Sequence, residues 1–177
     1  MNFVVKKKFI NFKERLNMKS LILIRHAKSG WDLPVQDKDR ELIPVGIESI
    51  KKVAQKAISI LPDKFEIWSS SAKRASQTAA LFCENASIQK DKISFNDNLY
   101  TFDDSTLEKI IKKCDNDVQN LIIFGHNGAI TDFVNKFGNK LISNVPTSGL
   151  VFIKFEQNNW TDVQNGQTFH TIFPKEI

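Results

Sequence analysis

Five short apolar runs divide the chain, and longer amphipathic segments lie between most of them. The runs cover residues 21–24, 65–68, 121–124, 150–155 and 168–173. They are rich in β-branched, leucine and aromatic side chains and are bounded by turn-forming residues, which is typical of buried strands. The last run suits an antiparallel strand at the edge of a sheet.

The intervening segments carry the period of helices that pack on a sheet. In residues 46–61, isoleucine, leucine and alanine fall on one face and lysines on the other. A second helix turns one face inward through Ala75, Thr78, Ala79 and Phe82.

A capping box at residues 105–108 predicts the start of a third helix, and residues 129–137 form a fourth that ends at Gly138. Strands that alternate with helices predict a mostly parallel sheet. We therefore expect an α/β protein: a single-domain, three-layer sandwich with helices on both faces of the central sheet.

Length and composition fit one globular domain. The 177 residues are 41% hydrophobic and 25% charged, and no apolar run approaches the length of a membrane span. Residues 1–17 lack the apolar core and cleavage site of a signal peptide. We expect them to form a flexible basic extension in front of a domain that covers residues 18–177.

The charge distribution argues against nucleic-acid binding. The net charge is +5, but residues 1–19 hold six basic side chains and one acidic one, so the remainder is formally neutral. A groove that neutralises phosphates along a duplex needs its basic excess in the folded part. Cys83 and Cys114 have no metal or redox spacing and are expected to be free thiols, which favours the cytoplasm.

Three of the predicted strands end next to arginine or histidine. Arg25 and His26 follow the first strand, Arg74 follows the second through three serines, and His126 lies between two glycines after the third. Ligands of open α/β sheets bind beyond the carboxyl ends of strands, so these turns could share one crevice. His170 lies inside the last predicted strand and is expected to be structural.

Each of these side chains has an ordinary structural explanation when it is taken alone, as a helix cap, a surface cation or a hydrogen-bonded histidine. Two arginines and two histidines at three strand ends are hard to explain by packing, so an anion site is the better account. The chain has no GxxxxGK[ST] loop, no GxGxxG after the first strand and no acidic cluster for a two-metal phosphatase. We expect neither a metal nor a cofactor.

These stretches resemble the histidine phosphatase superfamily, which is phosphoglycerate-mutase-like, and within it the small SixA-type phosphohistidine phosphatases. The likeness runs in the family's order from residue 20 to about 155. The matching segments are residues 25–32, 39–42 with Gly46, 71–79, 98–100, 124–127 and 146–147.

The resemblance implies that His26 takes the phosphoryl group and that Arg25, Arg74 and His126 form the phosphate pocket. Ser29 and Asn127 occupy positions that would add hydrogen bonds. Hydrolysis would then pass through a covalent phosphohistidine in two in-line steps, without metal or cofactor.

Two residues depart from the family's motif, and one catalytic role, that of the general acid, has no clear candidate. Ala27 replaces the glycine of the most familiar motif, and Asp32 stands where many relatives have asparagine. No general acid is plainly placed, and Asp97, Asp103 and Asp104 are only candidates by position.

A phosphoramidate has less need of a general acid than an ester, because its imidazole can leave neutral. The chain also lacks an insertion long enough for a lid, which suits a phosphorylated protein as partner. We therefore expect a protein phosphohistidine phosphatase. The alternatives are a small-molecule phosphomonoesterase on small phosphorylated substrates, and a non-catalytic phosphate-binding protein. Neither nucleic acid nor membrane is an expected partner.

Overall fold

A computed structural model describes residues 18–31 and 34–177, which form one six-stranded sheet flanked by four helices. The strands are β1 (Lys19–Arg25), β2 (Glu66–Ser70), β3 (Ile93–Asn96), β4 (Asn120–Gly125), β5 (Leu150–Phe155) and β6 (Gln167–Ile172). The helices are α1 (Pro44–Ala57), α2 (Lys73–Asn85), α3 (Asp104–Ile111) and α4 (Ala129–Phe137). The predicted extension of residues 1–17 and Asp32, one of the two departures from the family motif, lie outside the described residues.

The strand order β3-β2-β4-β1-β5-β6 places the three strands with candidate chemistry side by side. β4 pairs in parallel with both β1 and β2. In this register Arg25 lies opposite Gly125, and Ser69 lies opposite Phe124. The three strands therefore end at nearly the same level, and the loops that follow them meet at one edge of the sheet.

Helices cover both faces, which confirms the predicted α/β sandwich. Leu21 and Leu23 point into one core with α3 and α4, whereas Ile22 and Ile24 point into the other with α1 and α2. Successive side chains of a strand face opposite sides, so a continuous apolar run suits a strand that is buried on both. Cys83 and Cys114 are free and buried in these two cores.

The loop after β1 is held against both helices of its layer. A Cβ added at Gly46, in the first turn of α1, would lie 2.2 Å from the Lys28 carbonyl oxygen. In α2, the buried Thr78 hydroxyl accepts from the Ala27 N–H at 2.9 Å and contacts the Arg74 carbonyl oxygen at 2.5 Å. The backbone beside His26 is therefore fixed by α1 and α2 together.

Strand directions and one helix start refine the sequence prediction. β5 runs antiparallel to β1, and β6 is the predicted edge strand, antiparallel to β5. The prediction that a capping box at residues 105–108 opens the third helix was wrong, because α3 begins two residues earlier. Its N-cap is Asp103, whose carboxylate accepts from the Thr106 N–H at 2.7 Å. An aspartate satisfies a free N–H of the first turn as well as a serine does.

Strand β3 had no clear signal in the sequence. It is four residues long, lies at the edge of the sheet, and buries only Ile93. An edge strand with one buried side chain lacks both the continuous apolar run and the alternation that identify strands. Among the described residues, no helix is both long enough and apolar enough to cross a bilayer.

Candidate active site

His26 follows β1 directly and is buried at the edge where β2, β4 and β1 end. Its Nδ1 lies 2.8 Å from the Ala27 carbonyl oxygen, which can only accept, so Nδ1 carries the ring proton. The Arg74 Nε–H donates to Nε2 at 3.2 Å. Nε2 is therefore the unprotonated nitrogen, and its lone pair points toward a guanidinium.

The surroundings of His26 keep its ring neutral. Burial is the main cause, and the charges of Arg74, Arg25 and Arg40 add to it, so the pKa falls to about 4 although the hydrogen bond to Ala27 opposes the shift. At neutral pH the ring is an uncharged imidazole surrounded by cations. A neutral imidazole close to fixed positive charge is suited to attack a phosphoryl group whose oxygens those charges neutralise.

Arg74 lies in the first turn of α2, and its side chain is only 1% exposed. Its three donor nitrogens point in defined directions. Nε faces His26, Nη1 donates to the Asp37 carbonyl oxygen at 2.5 Å, and Nη2 donates to the Asp37 carboxylate at 2.8 Å. A buried guanidinium held on both sides is a fixed positive charge beside the proposed nucleophile.

His126 follows β4 and is also buried, with its ring centroid 5.2 Å from that of His26. Its Nε2 lies 2.9 Å from the Ser70 hydroxyl, which already accepts from the Ala72 N–H at 3.3 Å. When that hydroxyl donates to Nε2, the proton of the neutral ring is on Nδ1, which is buried without a partner among the described residues. Nδ1–H is then a free donor for an oxygen anion.

The ring of His126 is neutral as well. Burial is the largest cause, and the charges of His26 and Arg74 act in the same direction, so the pKa is about 3. His126 therefore offers a neutral Nδ1–H donor to an oxyanion, and a bound phosphoryl group would favour protonation of the ring by its own negative charge.

Arg25 ends β1 and turns its guanidinium toward the loop before β5. Its Nη1 donates to the Val145 carbonyl oxygen at 2.8 Å and more weakly to Asn144 at 3.4 Å. Its Nε is buried and has no partner among the described residues. The Ser148 N–H anchors the same segment by donating to the carbonyl oxygens of Arg25 and His26.

The two predicted auxiliary residues have different environments. Asn127 lies beside His126, but its amide donates to Asn144 at 2.8 Å and its oxygen contacts the Thr131 hydroxyl at 2.5 Å. Ser29 lies farther along the loop, in an isolated antiparallel bridge with Leu42. The role of both residues in substrate binding stays a prediction.

All three carboxylates considered as general acids contact other side chains or cap a helix. Asp97 pairs with Lys38 at 2.8 Å, and Asp104 lies 3.4 Å from Lys136. Asp103 caps α3, and hydrogen bonds from Ser105 and Thr106 lower its pKa to about 2. Hydrogen bonds from Lys38 and Ser71 also lower the pKa of Asp97, and exposed carboxylates with a lowered pKa, such as Asp97 and Asp103, are poor proton donors.

The site also contains Asp37, which the sequence did not single out, and Arg40 and Tyr100, to which the matching segments assigned no role. Asp37, in the short 3₁₀ turn Asp37–Asp39, contacts Arg74, Arg40 and Tyr100. The one available signal was the spacing of Asp37 and Arg40, which suits an ion pair between residues three apart. Tyr100 comes from the loop before α3, so only the fold brings it to Asp37.

The described residues therefore bring Arg25, His26, Arg74 and His126 to one edge of the sheet. Together they place two guanidinium groups, one unprotonated imidazole nitrogen and one imidazole donor at this edge. Such a set of groups is complementary to a tetrahedral oxyanion such as a phosphoryl group. No group of three or more His, Cys, Asp or Glu within residues 18–31 and 34–177 is arranged to hold a metal ion.

Ligands of open α/β sheets bind beyond the carboxyl ends of the strands, which is where these four residues lie. Residues 21–99 match the model of the histidine phosphatase superfamily (branch 1). This match spans 79 of the 177 residues, and together with the solved structures below it indicates a phosphatase similar to that superfamily.

Solved structures share the fold over most of the chain. A candidate phosphohistidine phosphatase SixA from Agrobacterium tumefaciens is 26% identical, with a TM-score of 0.71 over 87% of this chain and 97% of that chain. The protein histidine phosphatase SixA complexed with tungstate is 16% identical, with a TM-score of 0.74 over 89% and 98%.

A mycobacterial glucosyl-3-phosphoglycerate phosphatase is 11% identical, with a TM-score of 0.60 over 83% of this chain and 95% of that chain. At 11% and 16% identity, the likeness shows the fold alone. No curated protein matches the chain significantly.

Proposed function

We propose that this phosphatase removes the phosphoryl group from protein phosphohistidine, with His26 as the nucleophile. The observation that carries the proposal is the tautomer of His26. Its Nδ1–H is fixed on the Ala27 carbonyl oxygen, and its Nε2 lone pair lies beside Arg74 in a neutral ring. A phosphate-binding protein without catalysis would need the arginines but not this nucleophile.

In the first step the His26 Nε2 lone pair attacks phosphorus, and the bond from phosphorus to the substrate imidazole breaks. The electron pair of that bond returns to the leaving nitrogen. When the other nitrogen of the substrate ring carries a proton, the imidazole leaves neutral. The His26 ring becomes a phosphorylated imidazolium, which the hydrogen bond from Nδ1–H to Ala27 stabilises.

In the second step water attacks the phosphorus of phospho-His26, and the bond to Nε2 breaks. The electron pair returns to Nε2, so His26 is neutral again and the released phosphate keeps the protons of the water. Arg25, Arg74 and His126 are proposed to hold the phosphoryl oxygens in both steps.

The first step exchanges one phosphorus–nitrogen bond for another of the same type and needs no net proton transfer. An ester would expel an alkoxide, which needs a proton from a general acid. Asp97 and Asp104 are engaged in ion pairs, and Asp103 is engaged in capping α3. This difference supports phosphohistidine over an alkyl ester as substrate.

The rim of the site supports the same choice. Phe102 is 51% exposed, and its ring centroid lies 5.4 Å from that of His126. Trp31 is 74% exposed and stacks on the Arg40 guanidinium at 3.5 Å. Exposed aromatic rings at the mouth of the pocket can pack against a flat imidazole and the surface that carries it.

The test is a comparison of two substrates with two proteins. A labelled protein that carries phosphohistidine and an aryl phosphate ester are each incubated with the wild type and with His26→Ala. We expect release of phosphate from the phosphohistidine protein by the wild type, a trapped acid-labile phosphoenzyme, and neither of these with His26→Ala.

Two results would contradict the proposal in different ways. Ester turnover far above phosphohistidine turnover would favour a small-molecule phosphomonoesterase, the activity class of the mycobacterial relative named above. No turnover of either substrate, with phosphate binding retained, would favour a phosphate-binding protein.

A further inference from the structure

Asp37 forms hydrogen bonds with three side chains around the proposed phosphate pocket. Its carboxylate accepts hydrogen bonds from Arg74 Nη2 at 2.8 Å, from Arg40 Nε at 3.0 Å and from the Tyr100 hydroxyl at 2.5 Å. Its carbonyl oxygen accepts from Arg74 Nη1 as well. One residue of a short turn therefore contacts three side chains that belong to three different segments of the chain.

The contacts with Arg74 determine which way its guanidinium faces. A guanidinium is planar and rigid, so when both terminal nitrogens are held, the direction of Nε–H is set too. Asp37 holds both of them, through its carbonyl and its carboxylate oxygens. The remaining donor, Nε–H, then points at Nε2 of His26.

Asp37 is itself held in place from two sides. Arg40 is buried and lies between the Asp37 carboxylate and the ring of Trp31. Tyr100 donates to the same carboxylate, and its ring centroid lies 5.2 Å from that of His126. The network therefore reaches from the nucleophile to the second histidine of the pocket.

The electrostatic state of Asp37 suits this role. Burial would raise the pKa of its carboxyl group, but the hydrogen bonds from Tyr100 and Arg74 outweigh that effect and keep the pKa below its usual range. The carboxylate is ionised at neutral pH and offsets part of the charge of Arg74 and Arg40. It does so without occupying Nε, the donor nearest to the proposed nucleophile.

We propose that Asp37 is a positioning residue, which aims Arg74 at the phosphoryl group through a network with Arg40 and Tyr100. The expected effect on turnover rests on the proposed function. The orientation of the Arg74 guanidinium toward an oxyanion does not depend on which phosphorylated substrate is used. Removal of Asp37 leaves Arg74 buried but free to rotate, so transition-state contacts are lost.

The main variants are Asp37→Ala and Asp37→Asn, and Asp39→Ala is the matched control. Asp39 lies two residues away in the same turn and is exposed. We expect Asp37→Ala to lower kcat on the phosphohistidine protein by about 100-fold, since small misplacements of catalytic groups have effects of that order. Asp37→Asn keeps an acceptor oxygen for Arg74 and should lose about tenfold. Asp39→Ala should match the wild type.

A second readout separates this proposal from the proposed function. Tungstate and inorganic phosphate are titrated against each variant by calorimetry, which needs no turnover. Asp37→Ala should bind both oxyanions at least tenfold more weakly than Asp39→Ala. That comparison is valid even when the wild type does not hydrolyse phosphohistidine.

Thermal melting and the variant Tyr100→Phe serve as controls for folding. Tyr100→Phe removes one hydrogen bond to the Asp37 carboxylate without changing the charge. We expect Tyr100→Phe to lower oxyanion affinity in the same direction as Asp37→Ala but by less, with a melting temperature close to that of the wild type. Oxyanion affinity of Asp37→Ala within twofold of Asp39→Ala would overturn the proposal. A second result would also overturn it: the loss of oxyanion affinity in Asp37→Ala is fully explained by its unfolded fraction, and the oxyanion affinity of Tyr100→Phe is unchanged.

Discussion

At the scale of single residues, the proposed chemistry depends on a histidine that stays neutral among cations. His26 has one nitrogen that donates to a backbone carbonyl oxygen and one that accepts from Arg74. An isolated imidazole in water has a pKa of about 6.5 and would be partly protonated at pH 6. Burial and neighbouring positive charge remove that protonation, and this gives a first prediction.

In an NMR titration of the imidazole nitrogens, His26 should remain neutral as the pH falls from 7 to 5 and should protonate only near its pKa of about 4. The spectra should show the proton on Nδ1 and none on Nε2. The shift is downward because the buried site disfavours the charged ring. Protonation of His26 near pH 6.5, or a proton on Nε2 at pH 7, would contradict the geometry.

A second prediction concerns the exposed ring of Phe102. Phe102→Ala should lower kcat/KM on the phosphohistidine protein by roughly three- to tenfold, since an aromatic contact is worth about 0.5–1.5 kcal/mol. Binding of inorganic phosphate should change less than twofold, because the phosphate pocket is intact. Phe95→Ala is the control, since Phe95 is similarly exposed, at 57%, on the edge strand β3. Equal effects of the two variants would argue against an aromatic contact at the rim.

At the scale of elements, the position of His26 depends on how closely α1 approaches the loop after β1. Gly46 leaves space for the Lys28 carbonyl oxygen, which also accepts from the Ile43 N–H at 3.0 Å. Alanine is the better helix former by about 1 kcal/mol, so propensity alone would favour Gly46→Ala. The 2.2 Å approach of a Cβ to a backbone oxygen outweighs that preference.

We therefore expect Gly46→Ala to destabilise the protein by about 1–3 kcal/mol, in the range of overpacked core positions. Activity should fall as well, because Lys28 is two residues beyond His26. The measurements are chemical denaturation and phosphate release. Glu48→Ala, in the same helix and exposed, should change stability by less than about 0.5 kcal/mol. A stabilised Gly46→Ala variant would show that the loop moves away without cost.

At the scale of the whole molecule, the two buried histidines link stability to pH. The pKa is about 4 for His26 and about 3 for His126 in the folded state, both below the value of about 6.5 expected in the unfolded chain. Between these values the unfolded chain binds more protons than the folded one. The free energy of unfolding therefore rises with pH in this window and falls as the pH drops from 6.5 toward 4.

The contribution of the two histidines should be steepest near pH 5, midway between their unfolded and folded pKa values, where most carboxylates remain ionised. Each depressed histidine contributes a slope of up to about 1.4 kcal/mol per pH unit there. Denaturation at several pH values measures how the free energy of unfolding depends on pH. The slope should be smaller in His126→Gln than in the wild type, by about the contribution of one histidine. A curve of His126→Gln that is as steep as that of the wild type would contradict a neutral His126.

The last prediction concerns residues 1–17. Lys19 anchors the beginning of β1 to the rest of the domain. Its buried ammonium donates to the carbonyl oxygens of Asn116 at 2.5 Å and Val118 at 3.0 Å. A chain of residues 18–177 should therefore keep its activity and its melting temperature. Loss of phosphate release in that chain, with melting unchanged, would assign residues 1–17 a role in substrate binding.

The class of the fold could be read from the sequence, and so could the strand ends at which the four candidate site residues lie. Buried parallel strands must be apolar on both faces, so their runs are visible, and their carboxyl ends locate Arg25, His26, Arg74 and His126. The tautomer of His26, the low pKa of both histidines and the network around Asp37 were decided only by the tertiary structure. They depend on backbone carbonyls, burial and side chains such as Tyr100 that lie far apart in the chain, and no local pattern records those distances.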